Sequence, residues 1–143
     1  MDGFGASMNG GRWNSPGVAP VYTAENYSGA FLELVVKLGR VAVNPVYHYC
    51  EITVPDEVAV EDSQFPLAEM DRESATRKCG NSWWKESRTA VLRVPSAVTR
   101  VDGNFLLNPR HPQFALLKVS EPKPVWVDSR LISAAQGWKA GGR

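Results

Sequence analysis

The spacing of apolar residues changes several times along this chain, and each change marks an element. Through Pro20 the sequence is rich in glycine, with Asn9-Gly10-Gly11 and Ser15-Pro16-Gly17 marking turns around Arg12-Trp13-Asn14, so a shaped loop is expected there. Val21-Tyr22-Thr23 reads as a short strand. Asn26 then suits the cap of a helix running to Leu38, in which Phe31, Leu34, Val35 and Leu38 share one face and Gly39 ends the run. From Val46 to Val54 the period drops to two: Tyr47, Tyr49, Glu51 and Thr53 oppose Val46, His48, Cys50, Ile52 and Val54, which predicts one strand stopped by Pro55. Residues 56–82 are polar, with one short helix expected over Ser74–Lys78.

Beyond Trp83-Trp84 the pattern predicts strands over Ala90–Val94 and Asn104–Leu107, closed by Pro95-Ser96 and Asn108-Pro109. A short helix over His111–Val119 and a last strand at Val125–Val127 follow, and the small, glycine-rich tail over 132–143 is expected to fray. Strands and helices do not alternate regularly, as a doubly wound fold requires. The expected architecture is therefore a single α+β domain with a twisted, mixed or mainly antiparallel sheet and flanking helices.

Composition narrows the function. At 143 residues with 43% hydrophobic and 22% charged residues, the chain can bury a real core. Its formal net charge of +1, with no basic block, predicts no direct binding to nucleic acid. The longest apolar stretch, Ala30–Leu38, is interrupted by Glu33 and Lys37, which predicts no membrane span, and Met1-Asp2-Gly3-Phe4-Gly5 does not read as a secretory signal. A cytoplasmic protein is expected. Cys50 and Cys79 form no Cys-x-x-Cys pair, so they read as two reduced thiols, with no disulfide framework and no metal site.

Neither Gly-x-Gly-x-x-Gly nor a Gly-x-x-x-x-Gly-Lys loop occurs, so a bound nucleotide needs another geometry. Gly10 and Gly11 would let backbone amides approach a phosphate, and Arg12 beside them offers a planar, permanently charged fork for a diphosphate. The other reading of Arg12 is a turn residue that covers Trp13. Glu33 has two readings as well: a surface pair with Lys37 one helical turn on, or a carboxylate on the low surface made by Gly29, Ala30 and Val36. Tyr22 could stack on a ligand ring or be a half-buried strand tyrosine. Ser96 follows a strand-ending proline, where turn chemistry is the simplest account.

Taken in order, Asn9-Gly10-Gly11-Arg12-Trp13-Asn14-Ser15-Pro16-Gly17, Val21-Tyr22-Thr23-Ala24-Glu25, Leu32-Glu33, Val94-Pro95-Ser96-Ala97-Val98 and Leu106-Leu107-Asn108-Pro109-Arg110-His111-Pro112 resemble the RES family. The family is named for Arg, Glu and Ser, which match Arg12, Glu33 and Ser96. The likeness runs from Gly10 to Leu131, where Val127-Asp128-Ser129-Arg130-Leu131 is similar to the closing strand. It implies the toxin of a bacterial toxin–antitoxin pair, on a fold similar to ADP-ribosyltransferase toxins, that breaks the nicotinamide–ribose bond of NAD.

The resemblance further implies Arg12, Tyr22, Glu33 and Ser96 as catalytic residues, and Gly11, Arg12, Asn14, Tyr22 and Asn108 as the NAD-binding set. Its implied partner is an antitoxin with a helix-turn-helix DNA-binding domain, with a homodimer within the complex as a further expectation. Glu33 would face the positive charge that develops on the ribose, and Ser96 would orient a ribose hydroxyl or Glu33. Ser96 is not expected to be a nucleophile, because neither His48 nor His111 stands in a hydrolase motif and both read as structural. Trp83 also falls in a family-like segment. The sequence departs at its start, where Met1–Asn9 stands in place of a family strand bearing a second arginine; substrate affinity turns on whether that contact is missing.

Water, phosphate or a protein side chain would serve as acceptor by the same bond-breaking step. A different class of function, an inactive RES-like module that only binds an antitoxin, is the rival reading.

Overall fold

The computed structural model describes residues 1–38 and 47–128. Its framework is a four-stranded sheet built from β1 (Val21–Ala24), β4 (Val60–Asp62), β5 (Val91–Pro95) and β6 (Gly103–Leu107) in the order β1-β6-β5-β4. β6 is antiparallel to both β1 and β5, and β4 is parallel to β5, so the sheet is mixed. Two small antiparallel pairs stand beside it: β2 (His48–Tyr49) with β8 (Lys123–Pro124), and β3 (Ile52–Thr53) with β7 (Lys118–Val119).

β5 and β6 are largely buried on both faces, which is why Ala90–Val94 is apolar at every position but Arg93 rather than alternating. Leu92, Val94 and Leu106 pack with Trp13, Met70, Trp83 and Trp84 on one face. Val91 and Leu107 pack with Val58 and Ala90 on the other. Trp83 is fully buried, and its indole N–H donates to Thr89 Oγ1 at 2.9 Å. A side chain of that size contributes roughly 4–6 kcal/mol of apolar transfer free energy at about 25 cal/mol per Å².

The helices differ from expectation in extent. α2 (Tyr27–Leu38) begins where its cap predicts, with Asn26 Oδ1 accepting from Gly29 N at 2.8 Å; Gly39 lies outside the described residues. The short helix expected at Ser74–Lys78 is instead α3 (Glu73–Glu86), fourteen residues long, which carries Trp83 and Trp84 into the core. Polar residues on its outer face hid the helix, and burial of Thr76, Gly80, Trp83 and Trp84 defines its inner face. The N-terminal stretch, expected as loop, also contains a one-and-a-half-turn helix, α1 (Phe4–Asn9), with no buried residue.

Three further expectations are corrected. The strand expected over Val46–Val54 is two strands, β2 and β3, because residues 47 and 49 point inward and then 52 and 54 do, a slip of one position at Cys50-Glu51. Glu51 pairs there with the connector between β7 and β8: its N–H donates to Ser120 Oγ and its carbonyl accepts from Ser120 N, both at 2.9 Å. Val46 lies outside the described residues. The helix expected over His111–Val119 is a 3-10 turn at Pro112–Leu116 followed by β7. The last strand falls at Lys123–Pro124, before Val125–Val127; Val127 and Asp128 belong to no strand, and Ser129–Leu131, like the whole of the expected tail, lie outside the described residues.

Candidate functional site

Two polar clusters, one around Glu33 and one around the Arg12 loop, lie on the same side of the main sheet. Register explains this: Tyr22 stands opposite Leu106 and Ala24 opposite Asn104, so Tyr22, Ala24 and Asn104 share the face of Leu106. Glu33, on α2, is half-buried and reaches this face.

Glu33 Oε1 accepts two hydrogen bonds, from Ser96 Oγ at 3.0 Å and from Asn104 Nδ2 at 2.8 Å. Ser96 is itself buried, and its Oγ accepts the N–H groups of Val98 and Thr99, each at 3.2 Å. With one proton donated and both lone pairs used, this hydroxyl is fixed, and its role is to aim Glu33. Among the described residues no group engages Glu33 Oε2, so the carboxylate is anchored there through Oε1 alone. The alternative partner, Lys37, has its side chain outside the described residues.

The Arg12 loop is pinned from three directions. Asn14, fully buried, donates through Nδ2 to the carbonyls of Ala6 at 2.9 Å and Val18 at 2.7 Å. Its Oδ1 accepts the Tyr22 hydroxyl at 2.7 Å, and that hydroxyl accepts Trp13 N–H at 3.0 Å. Gly11 caps this knot: a Cβ there would stand 2.6 Å from Tyr22 Oη and 2.9 Å from Asn14 Oδ1, so only glycine fits. Burial of the hydroxyl end pushes the Tyr22 phenol up to about 12, with the Trp13 N–H and the Arg77 charge opposing. Tyr22 is thus protonated at neutral pH, while the residue as a whole stays 39% exposed.

The third anchor is α3. Thr76 Oγ1 lies 2.6 Å from the Arg12 carbonyl, Arg77 Nε donates to the Gly11 carbonyl at 3.0 Å, and Asn81 Oδ1 accepts Ser15 N–H at 3.0 Å. Gly80 lets the Trp13 backbone rest on the helix, since a Cβ there would come within 2.0 Å of the Trp13 carbonyl oxygen. The Arg12 side chain, half-buried, donates from Nη1 to the Met70 carbonyl at 3.2 Å. The next residue, Asp71, pairs with Arg100 on the turn that begins at Ser96, so one wall of contacts runs from Arg12 to Ser96.

The structure therefore brings Arg12, Tyr22, Glu33 and Ser96 to one region, with Gly11 and Asn14 beneath the loop. Asn108 stands apart. It is fully buried beyond the other end of β6, four residues and about 13 Å of strand from Asn104, and its Oδ1 accepts Arg110 N–H at 3.0 Å in a local turn. Trp83 is core, His48 is exposed, and His111 Nδ1 accepts Gln113 N–H at 3.2 Å as a cap. Cys50 and Cys79 are free thiols, and no metal-ligand cluster occurs among the described residues.

Sequence reasoning missed Asn104, whose signal was a polar residue on the Leu106 side of an otherwise apolar strand. It also missed Thr76, Arg77, Gly80 and Asn81, which share a helix face only once α3 is carried past residue 78.

The RES domain model matches residues 1–128, most of the chain. The chain belongs to the RES family. Among RES relatives, the "Prs ADP-ribosylating toxin" of Sphingobium sp. (strain YBL2) is 36% identical over 143 residues, covering 94% of this chain and 88% of its own. "Toxin Res" of Yersinia enterocolitica is 30% identical over 134 residues, covering 90% and 88%. The fold is that of the toxin–antitoxin complex MbcT-MbcA from M. tuberculosis, at a TM-score of 0.69 and 20% identity, covering 96% of this chain and 82% of that one. Arg12, Glu33 and Ser96 stand on a loop, a helix and just past a strand end.

Proposed function

We propose that this RES protein is the toxin of a toxin–antitoxin pair and that it cleaves the nicotinamide–ribose bond of NAD. The observation that carries this reading is Glu33, whose Oε1 is held by Ser96 and Asn104 on the face that also carries Tyr22. As nicotinamide leaves with the bonding electron pair, positive charge grows on the ribose, and a carboxylate fixed in advance stabilises that charge without reorganising. The Tyr22 ring supplies a flat surface for nicotinamide or ribose, and the Arg12 guanidinium a partner for the diphosphate. Water or inorganic phosphate then takes the ADP-ribosyl group.

The toxin role draws support from the names of the relatives, and an antitoxin partner from the complex that shares the fold. Such a partner would carry a helix-turn-helix DNA-binding domain, as the family resemblance implies. A second reading, transfer of ADP-ribose to a protein side chain, is favoured by the name of the Sphingobium relative.

The deciding experiment incubates the purified protein with NAD, with and without phosphate and with a candidate protein acceptor. Released nicotinamide with ADP-ribose, or its 1-phosphate, supports the first reading, and label on protein the second. NAD left intact in every arm, with growth unaffected by expression of the lone chain, would overturn both.

A further inference from the structure

Arg77 lies against the Arg12 loop, yet no family letter falls on it. Its Nε–H donates to the Gly11 carbonyl at 3.0 Å, one residue before Arg12, and its Nη2 stands 3.1 Å from Glu73 Oε2. Nη1 has no contact among the described residues, and the side chain is 36% exposed. Its charge reaches the Tyr22 hydroxyl, where it opposes the effect of burial. On its outer side Arg77 borders a shallow cleft of about 480 Å³ whose other charged walls are Lys78 and Lys85, with no carboxylate in its lining.

These contacts set an order along the sheet face. Arg77 holds the Gly11 carbonyl, Gly11 lies against the Tyr22 hydroxyl, the Tyr22 ring follows, and Ala24 opposite Asn104 leads to Glu33. Tyr22 and Ala24 are two residues apart on one face of β1, about 7 Å. A cation at one end of this series and an aimed carboxylate at the other suit a ligand with a diphosphate on one side of a ribose. Arg12 gives one of its terminal nitrogens to the Met70 carbonyl, so a second cation beside its loop would share the diphosphate charge with it.

We propose that Arg77 is a second substrate-binding arginine: its Nη1 edge pairs with the diphosphate of NAD while its Nε bond holds the Gly11 carbonyl, and with it the Arg12 loop, in place. The inference rests on the NAD-cleaving reading above. Glu73, which shares the guanidinium, competes with the diphosphate and weakens binding in the free protein.

The test measures KM and kcat for NAD, and inhibition by ADP-ribose, at several salt concentrations, in the parent and in Arg77→Gln, Arg77→Lys and Glu73→Gln. Losing a hydrogen bond between charged groups should raise the KM for NAD and the Ki for ADP-ribose together by about 10- to 100-fold in Arg77→Gln. kcat should stay within about threefold, and the salt dependence should flatten. Arg77→Lys keeps the charge but not the fork and falls between. Glu73→Gln should lower both constants.

A merely structural arginine would shift the melting temperature without moving KM and Ki in parallel. Parental KM and Ki in a folded Arg77→Gln protein, or a loss confined to kcat, overturns the proposal. If Arg77→Gln does not fold, parental constants in Glu73→Gln overturn it instead. A parent that neither consumes nor binds NAD would sink the functional reading itself, a result distinct from failure of Arg77 alone.

Discussion

Asn104 Nδ2 donates to Glu33 Oε1 at 2.8 Å across 71 positions of sequence, so the second residue of β6 aims a carboxylate carried by α2. Ser96 Oγ reaches the same oxygen from the end of β5, at 3.0 Å. The two donors are not equivalent: Ser96 also holds the turn at Val98 and Thr99, whereas no other contact of the Asn104 side chain is seen among the described residues.

Asn104→Ala is therefore the cleaner probe of aim. It should lower kcat about tenfold or somewhat more, the effect of one hydrogen bond to a charged group, with KM little changed. Ser96→Ala should lower kcat and also cost about 1 kcal/mol of stability through the lost turn. Steady-state kinetics with thermal melts separates them, and an Asn104→Ala protein with parental kcat would show that Glu33 needs no such support.

Glu33→Gln keeps shape and removes charge. The expected fall in kcat is roughly 100- to 1000-fold, about 3 to 4 kcal/mol, with NAD affinity nearly unchanged. Were Glu33 only a surface partner of Lys37, the same change would cost about 0.5 kcal/mol of stability or less and spare turnover. Lys37→Ala should leave activity intact. NAD consumption at the parental rate by folded Glu33→Gln would remove the central residue of the mechanism.

At Gly80 two effects compete. Alanine in a helix gains about 1 kcal/mol over glycine, but a Cβ here meets the Trp13 carbonyl oxygen at 2.0 Å, which is backbone and cannot swing aside. Overpacking of this kind costs typically 1–3 kcal/mol or more, so Gly80→Ala should be net destabilising. Because Trp13 follows Arg12, NAD affinity should fall with it. A higher melting temperature in Gly80→Ala would contradict the close seating of the loop on α3.

The Tyr22 phenol fixes an alkaline limit. Its ionisation is raised to about 12 in the folded protein, chiefly by burial, from an ordinary value near 10. The folded state thus keeps its proton where the unfolded chain has lost it, so this group's contribution is complete below about pH 10 and fades toward pH 12. Tyr22→Phe should lower stability at neutral pH, by losing the bonds to Trp13 and Asn14, yet flatten the loss between pH 10 and 12. Denaturation midpoints measured across that range in both proteins provide the check, and parallel curves would contradict it.

Local chemistry made part of this protein legible. Asn26 announces the start of α2, the strands near Ala90 and Asn104 are apolar runs bounded by turn residues, and Gly10-Gly11-Arg12 marks a loop that backbone can approach closely. Each depends on residues within a few positions of one another. The RES letters could likewise be read in order without knowing where they meet.

What the sequence alone could not decide depended on contacts between distant segments. α3 is polar along its exposed side, so its full length becomes evident only where Trp83 and Trp84 enter the core and Gly80 receives Trp13. Asn108 reads like a site residue, yet it lies in the interior beyond the end of β6, and it is Asn104 that meets Glu33. Register made that choice: side chains alternate along a strand, and only the partner strands and the helix above them determine which end of the polar face meets Glu33. Sequence supplied the arginine, glutamate and serine, and tertiary packing supplied the Asn104 donor, the α3 platform and the placement of Arg77 beside Gly11.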